Sequence, residues 1–286
     1  MDPAHVVPVL HTPRGRYAVV EFHDRLESTN SRAAQLATPY AVVVAESQSA
    51  GRGRLGRHWE TPPGAAVTAS FTLPLEIDQP GWLPLVAGLA VAQTITARCG
   101  LEAVVKWPND VLLPEDGHRK VCGVLCEIVP VSASAPPGAG AGASRDDRGL
   151  VVIVGIGVNV DQTRGELPVP TATSLALTRS LTGSGLEVSR EDLLVEIGIR
   201  LVFLEEQLRS GGPAATGVRA AYRALCATIG AHVRLSLPGG EDVGGIATAV
   251  TDDGALVVAT PTGERTFSAG DVTHVRPATA DGPGLA

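Results

Sequence analysis

The strongest constraint on the fold is a change of pattern near residue 229. Before it, apolar runs of strand length alternate with segments of helical periodicity. After it, only short strand-like runs remain, divided by turn residues at 238–240, 252–254 and 262–263. The first part predicts an α+β unit; the second predicts a small β-barrel of about five strands. With 286 residues there is room for one large domain and a small one. The expected organisation is a disordered N-terminus at 1–16, a first unit at 17–228, a barrel at 229–277 and a tail at 278–286.

Within the first unit, strands are expected at 17–22, 41–46, 66–73, 103–107, 121–129 and 150–160. Helices are expected at 31–37, 83–98 with Gly100 as the stop, and from about 213 to 227. Ser189 caps a further helix whose apolar stripe is Leu193, Leu194, Ile197, Leu201, Leu204 and Leu208. Residues 131–149, rich in Ser, Ala, Pro and Gly, read as a flexible surface insertion with no assigned role.

Charge and cysteine content narrow the function. A net charge of −7 argues against general attraction to nucleic acid or membrane surfaces. No apolar run approaches the roughly 20 residues needed to cross a bilayer, and no secretory signal pattern opens the chain. Four cysteines in a chain of this length make no disulfide framework. Cys122 and Cys126, four apart in a strand-like run, share one face and read as small buried hydrophobes. The expectation is a reduced, cytoplasmic protein.

Against that acidic background, residues 51–57 read GRGRLGR, three glycines alternating with three arginines. Glycine admits close backbone approach, and arginine offers a planar fork for phosphate or carboxylate. The loop is not a GxxxxGK[ST] P-loop, and Pro62, Pro63 and Gly64 follow it where a GxGxxG motif would open a helix. A basic surface loop accounts for the same residues. Lys106–Trp107–Pro108–Asn109–Asp110 is the second unusual segment: a lysine at the end of a buried strand either neutralises a carboxylate or transferring phosphate or makes an ordinary salt bridge. Asp110 either holds magnesium with Asn109 or caps a turn. Gly123–Glu127 (GVLCE) and Gly155–Asn159 (GIGVN) are apolar strands whose glycines mark close approach by another backbone or a ligand, or else a bulge or tight packing. Ser28–Thr29–Asn30 supplies a helix cap, and the carboxamide of Gln48 suits an amide-like group.

In this order and spacing the segments resemble the biotin protein ligases, over residues 17–277. The resemblance implies the class II aminoacyl-tRNA synthetase-like fold of biotin and lipoate ligases, an α+β unit with a mixed sheet flanked by helices, with an SH3-like C-terminal barrel. It implies that ATP and Mg2+ convert biotin to biotinyl-5′-AMP, and that a lysine of a biotin carboxyl carrier domain of an acyl-CoA carboxylase then takes the biotinyl group. Lys106 and Arg54 would be catalytic. Biotin would be held by Ser28, Thr29, Asn30, Gln48, Gly51, Arg52, Gly53, Arg54, Lys106, Gly123, Gly155 and Gly157. The adenylate would meet Arg52, Arg54, Arg57, Trp59, Asn109 and Asn159, and Asp110 would hold the metal.

Two departures matter. About sixteen residues precede the first strand, too few for a DNA-reading helix-turn-helix, so no operator binding is expected. Residues 162–173 align with an adenylate-capping loop, but Ala172 stands where some relatives carry an aromatic. A lipoate-protein ligase is the nearest alternative, although its RRxSGGG-type loop is missing. A nucleic-acid binder using the arginine loop is the alternative from another class.

Overall fold

The computed structural model describes residues 1–59, 61–132, 149–237, 240–268 and 270–274. In chain order the elements are α1 (Pro3–Leu10), β1 (Val19–His23), α2 (Thr29–Leu36), β2 (Ala41–Ala45), β3 (Ala66–Pro74), α3 (Leu83–Cys99), β4 (Val104–Lys106), β5 (Asp110–Leu113), β6 (Arg119–Pro130) and β7 (Leu150–Asn159). There follow α4 (Leu175–Thr182), α5 (Arg190–Arg209), α6 (Gly212–Leu225), β8 (His232–Ser236), β9 (Asp242–Val250), β10 (Leu256–Thr260), β11 (Gly263–Phe267) and β12 (Asp271–His274).

Strands β1 to β7 form one mixed sheet in the order β1-β2-β3-β7-β6-β5-β4, with β1 and β2 parallel and the other pairs antiparallel. Side chains alternate across it. Cys122, Val124, Val154, Ile156, Val158, Val67, Ala69 and Phe71 turn toward α3 and α5 and are buried in the main core. The opposite face carries Val43 and Ile153 against Ala33 of α2. Strands β8 to β12 form a separate five-stranded antiparallel sheet. Cys122 and Cys126 do lie on one face, and burial pushes the Cys126 thiol up to about 12.

Three expectations need correction. Residues 1–16 are not without structure: the Asp2 side chain caps α1, and Val6 and Leu10, four apart on one helical face, are buried beside α5. The stretch Pro80–Cys99, which ends in α3, is long and apolar enough to cross a membrane, yet 67% of its most apolar 18-residue window is buried inside this fold. Strand β5 and helix α4 are additional elements; β5 has only four residues between Pro108 and Pro114, and α4 is capped by Ser174. The insertion at 131–149 falls almost wholly on residues outside those described, as do residues 238–239 of the turn at 238–240, the last three residues of the barrel expected at 229–277, and the tail at 278–286.

The segment between β7 and α4 is fastened by Asp116, which is only 3% exposed. Its carboxylate accepts from Thr173 Oγ1 at 2.5 Å, Arg119 Nη1 at 2.6 Å and Arg164 Nη2 at 3.2 Å. Burial opposes its charge, but hydrogen bonds from Thr173 and Arg164 and the charges of Arg119 and Arg164 outweigh that, so Asp116 titrates below the usual aspartate range. Its stabilisation is complete above the unfolded value of about 4 and is lost as the pH falls through the lower folded value. The thermal midpoint of the wild type should therefore drop more steeply below about pH 4 than that of Asp116→Asn. Parallel pH profiles would show that Asp116 contributes nothing there.

Candidate active site

The ladder register brings distant motifs into one row. Lys106 pairs with Asp110, Asp110 with Gly123, Gly123 with Gly157, and Gly157 with Thr68. Paired residues project from the same face, so KWPND, GVLCE and GIGVN meet along a line. Lys106 to Gly157 spans three strand spacings, roughly 14 Å. Two adjacent glycines hollow this row at its centre. The indole of Trp59 lies over the hollow: a Cβ on Gly157 would stand 2.4 Å from Trp59 Cε2, and one on Gly123 would stand 3.1 Å from Cζ3. Trp59 Nε1 is buried without a hydrogen-bond partner among the described residues.

One row away on the same face, Leu125, Gly155 and Ser70 are paired. Gly155 makes room for Asn30, whose Oδ1 would lie 2.1 Å from an added Cβ. Asn30 accepts from Ser70 Oγ at 2.6 Å and donates to Glu127 Oε2 at 2.6 Å and the Leu125 carbonyl at 3.3 Å. Ser28 caps α2 by accepting from Ser31 N–H. The Thr29 backbone N–H and hydroxyl both donate to Gln48 Oε1, at 2.8 and 3.2 Å. That orientation turns the Gln48 NH₂ toward Gly51, whose Cβ position is 2.7 Å from Nε2. The result is a fixed, neutral set of donors and acceptors suited to a cyclic urea or amide.

The arginine loop, with Leu125 and Glu127 of β6, lines an open cavity of about 330 Å³ whose lining residues are Arg52, Gly53, Arg54, Gly56, Leu125 and Glu127. The arginine loop is closed as a hairpin by Trp59 N–H to Gly51 O at 2.9 Å and Gly53 N–H to Arg57 O at 2.6 Å. Arg52 donates to Glu127 and Ser31. Arg54 donates to Asn109 Oδ1 at 3.3 Å, and burial lowers its pKa while Asp110 opposes the shift. Burial likewise lowers the pKa of Lys106, and Asp110 again opposes it. Both cations are thus partly stripped of water, where charge acts most strongly on a bound anion.

Several residues stand differently from the sequence expectation. Gly123, Gly155 and Gly157 admit Trp59 and Asn30 within the protein. Arg57 points to the C-terminal sheet and ion-pairs with Asp271. Asn109 exchanges hydrogen bonds with the Val124 backbone and positions Arg54. Asn159 is buried, donating to Thr173 O and accepting from Gln162, so it shapes the segment before α4. Asp110 is bound by Lys120 at 2.6 Å, and no group of three His, Cys, Asp or Glu side chains suited to a metal exists among the described residues. The protein atoms alone therefore do not fit a metal cage.

Lys120 is the site residue the sequence reading missed. A β-bulge between Val111 and Leu112 in the β5–β6 register pairs Lys120 with Leu112, which puts it on the face of Asp110. Its Nζ lies 5.6 Å from the Trp59 ring centroid and 3.0 Å from the Cβ position of Gly123. Its backbone N–H and C=O are both held by the segment alongside, the N–H donating to Thr171 O and the C=O accepting from Thr173 N–H at 2.8 Å each.

Residues 22–135 match the Biotin/lipoate A/B protein ligase family, and residues 228–275 match the Biotin protein ligase C terminal domain. The chain is 36% identical over 244 residues to a biotin–[acetyl-CoA-carboxylase] ligase of Mycobacterium tuberculosis, covering 82% of this chain and 79% of that protein. It is 33% identical over 259 residues to the ligase of that name from Paracoccus denitrificans, covering 87% and 97%. The structure of a biotin protein ligase from Aquifex aeolicus in complex with biotin and ATP matches with a TM-score of 0.70 and 26% identity, covering 91% of this chain and all of that one (100%). Sequence, domain order and fold agree, and the chain belongs to the biotin protein ligase family.

Proposed function

We propose that this chain is an ATP-dependent biotin ligase that makes biotinyl-5′-AMP and passes the biotinyl group to a lysine of a carrier domain in an acyl-CoA carboxylase. The observation that carries it is the convergence of Arg54, Lys106 and Lys120 on the row hollowed by Gly123 and Gly157, beside the neutral Thr29–Gln48–Asn30 set. The polar set takes the ureido ring and the cations take the carboxylate and phosphates. Two anions must meet, and fixed cations offset their repulsion.

In the first step a carboxylate oxygen of biotin attacks the α-phosphorus of ATP, and pyrophosphate leaves. In the second, the ε-amine of the acceptor lysine attacks the acyl carbon of the mixed anhydride. The acyl C–O bond breaks, AMP leaves, and the amine gives up a proton. No side chain forms a covalent intermediate. Lys106, Lys120 and Arg54 hold the reacting anions, and Trp59 shields the anhydride from water. A magnesium ion would be held chiefly by the phosphates of ATP and would offset their charge. In this reading the chain works in the cytoplasm, binds no DNA, and uses no membrane.

The test is to incubate the protein with biotin, MgATP and a carrier domain and to measure the acceptor mass. One biotinyl increment on one lysine is expected, with none when biotin or ATP is omitted. Modification that depends on lipoate and not on biotin would replace this reading with lipoate transfer.

A further inference from the structure

Lys106 ends β4, a three-residue strand at the edge of the seven-stranded sheet. It makes no ion pair among the described residues, because its row partner Asp110 is taken by Lys120. A partly desolvated, unpaired ammonium has to be held in place by its backbone. On one side β5 supplies that hold. On the other, the segment after α6 takes the place of a strand: Ala227 N–H donates to Val105 O at 2.9 Å, and Cys226 bridges Val105 in parallel.

The next residue, Thr228, is fully buried and accepts from the backbone N–H of Trp107 at 3.0 Å. Its hydroxyl also meets Nε2 of His274 on β12 at 3.1 Å. The Trp107 N–H can only donate, which leaves the hydroxyl proton for the imidazole. The side chain of Trp107 reaches the same C-terminal sheet elsewhere, its Nε1 donating to Gly254 O at 2.9 Å. Trp82 Nε1 secures that turn again by donating to Asp252 O at 2.7 Å. Gly81 lets the turn approach, since a Cβ there would lie 2.7 Å from Asp253 O. The residue following Lys106 is thus tied to the C-terminal sheet through its backbone and through its side chain.

We propose that Trp107, Thr228 and His274 are positioning residues for Lys106, so that the C-terminal sheet sets where this ammonium meets the reacting anions. The proposal rests on the adenylation reading given above. A joint that merely holds two units together would show the same hydrogen bonds but no dependence on Lys106.

A double-mutant cycle in the full chain separates the two, read as steady-state biotin-dependent pyrophosphate release with a carrier domain as acceptor and biotin in excess over enzyme. Thr228→Val keeps the volume and deletes the hydroxyl; it is expected to lower kcat about ten-fold while the KM for biotin moves less than about two-fold. Thr228→Ser should restore the rate to within about two-fold. In a Lys106→Ala background Thr228→Val should cost less than about two-fold, because the group it acts through is gone. Equal losses in both backgrounds overturn the proposal, and so does a wild-type rate for Thr228→Val. If that variant does not fold, Trp107→Phe, which removes one indole N–H, goes through the same cycle with the same expectations. A wild type that releases no biotin-dependent pyrophosphate overturns the adenylation reading and this proposal together; the other outcomes overturn the proposal alone.

Discussion

Alanine at Lys120 is expected to slow biotinyl-adenylate formation by at least about a hundred-fold, the size of losing one preorganised charge at a reacting centre. The ammonium is fixed by Asp110 at 2.6 Å and stands over the Trp59 ring, beside the glycine hollow. A lysine is ordinarily flexible, and ordering one costs side-chain entropy before it acts. Here the strand-like bonds to Thr171 and Thr173 fix its backbone, and Asp110 fixes its tip, before any ligand arrives. The side chain is 31% exposed, so its removal leaves the core intact. Stability should hardly change, and biotin affinity should fall less than the chemical step. Alanine at Lys106 or Arg54 should act in the same direction. Single-turnover adenylate formation measures all three, and a Lys120→Ala rate within about three-fold of wild type would remove this lysine from the chemistry.

How far such a site is legible in the sequence depends on which interactions are local. Helix ends were readable because Ser28, Ser189 and Gly100 act within one turn of themselves, and the structure shows those caps. The motif order was readable because each motif is a short run. Lys120 was not readable, since strict alternation places it three residues from Gly123 and hence on the other face. Only the bulge reverses that, and a bulge is decided by pairing with β5. Arg57 has the same difficulty: its partner Asp271 is 214 residues away. The strand glycines imply close approach by another backbone or a ligand, whereas what approaches them in the protein is the side chains of Asn30 and Trp59. Nothing in a strand's own sequence says whether its close neighbour is a ligand or another side chain.

That last distinction leads to the second large effect, expected for Gly155→Ala. A methyl at this position would sit 2.1 Å from Asn30 Oδ1, 2.9 Å from Cγ and 3.1 Å from Nδ2. A clash with a free side-chain end is relieved by rotation. Asn30 has no such freedom: it is 4% exposed and bonded to Ser70, Glu127 and Leu125. The strand cannot retreat either, because Gly155 is paired on one side with Ser70 and on the other with Leu125. Displacing Asn30 breaks its buried hydrogen bonds to Ser70, Glu127 and Leu125, leaves Thr29 Oγ1 as the remaining acceptor for the Ser70 hydroxyl at 2.8 Å, and moves the start of α2, with Ser28 and Thr29. Overpacking plus unmet buried polar groups predicts a loss of about 2–4 kcal/mol and at least about ten-fold weaker biotin binding. Gly53→Ala is the contrast for stability: its φ is −107°, and an added Cβ comes no closer than 3.4 Å to Arg57 O. That variant should stay within about 0.5 kcal/mol of wild type. Denaturant unfolding and biotin titration give both quantities. The double variant Gly155→Ala with Asn30→Ala should regain part of the stability, since the methyl then enters space the amide has left, but not the biotin affinity. Wild-type stability and affinity in Gly155→Ala alone would mean that Asn30 yields freely, and that the polar end of the site is not preorganised.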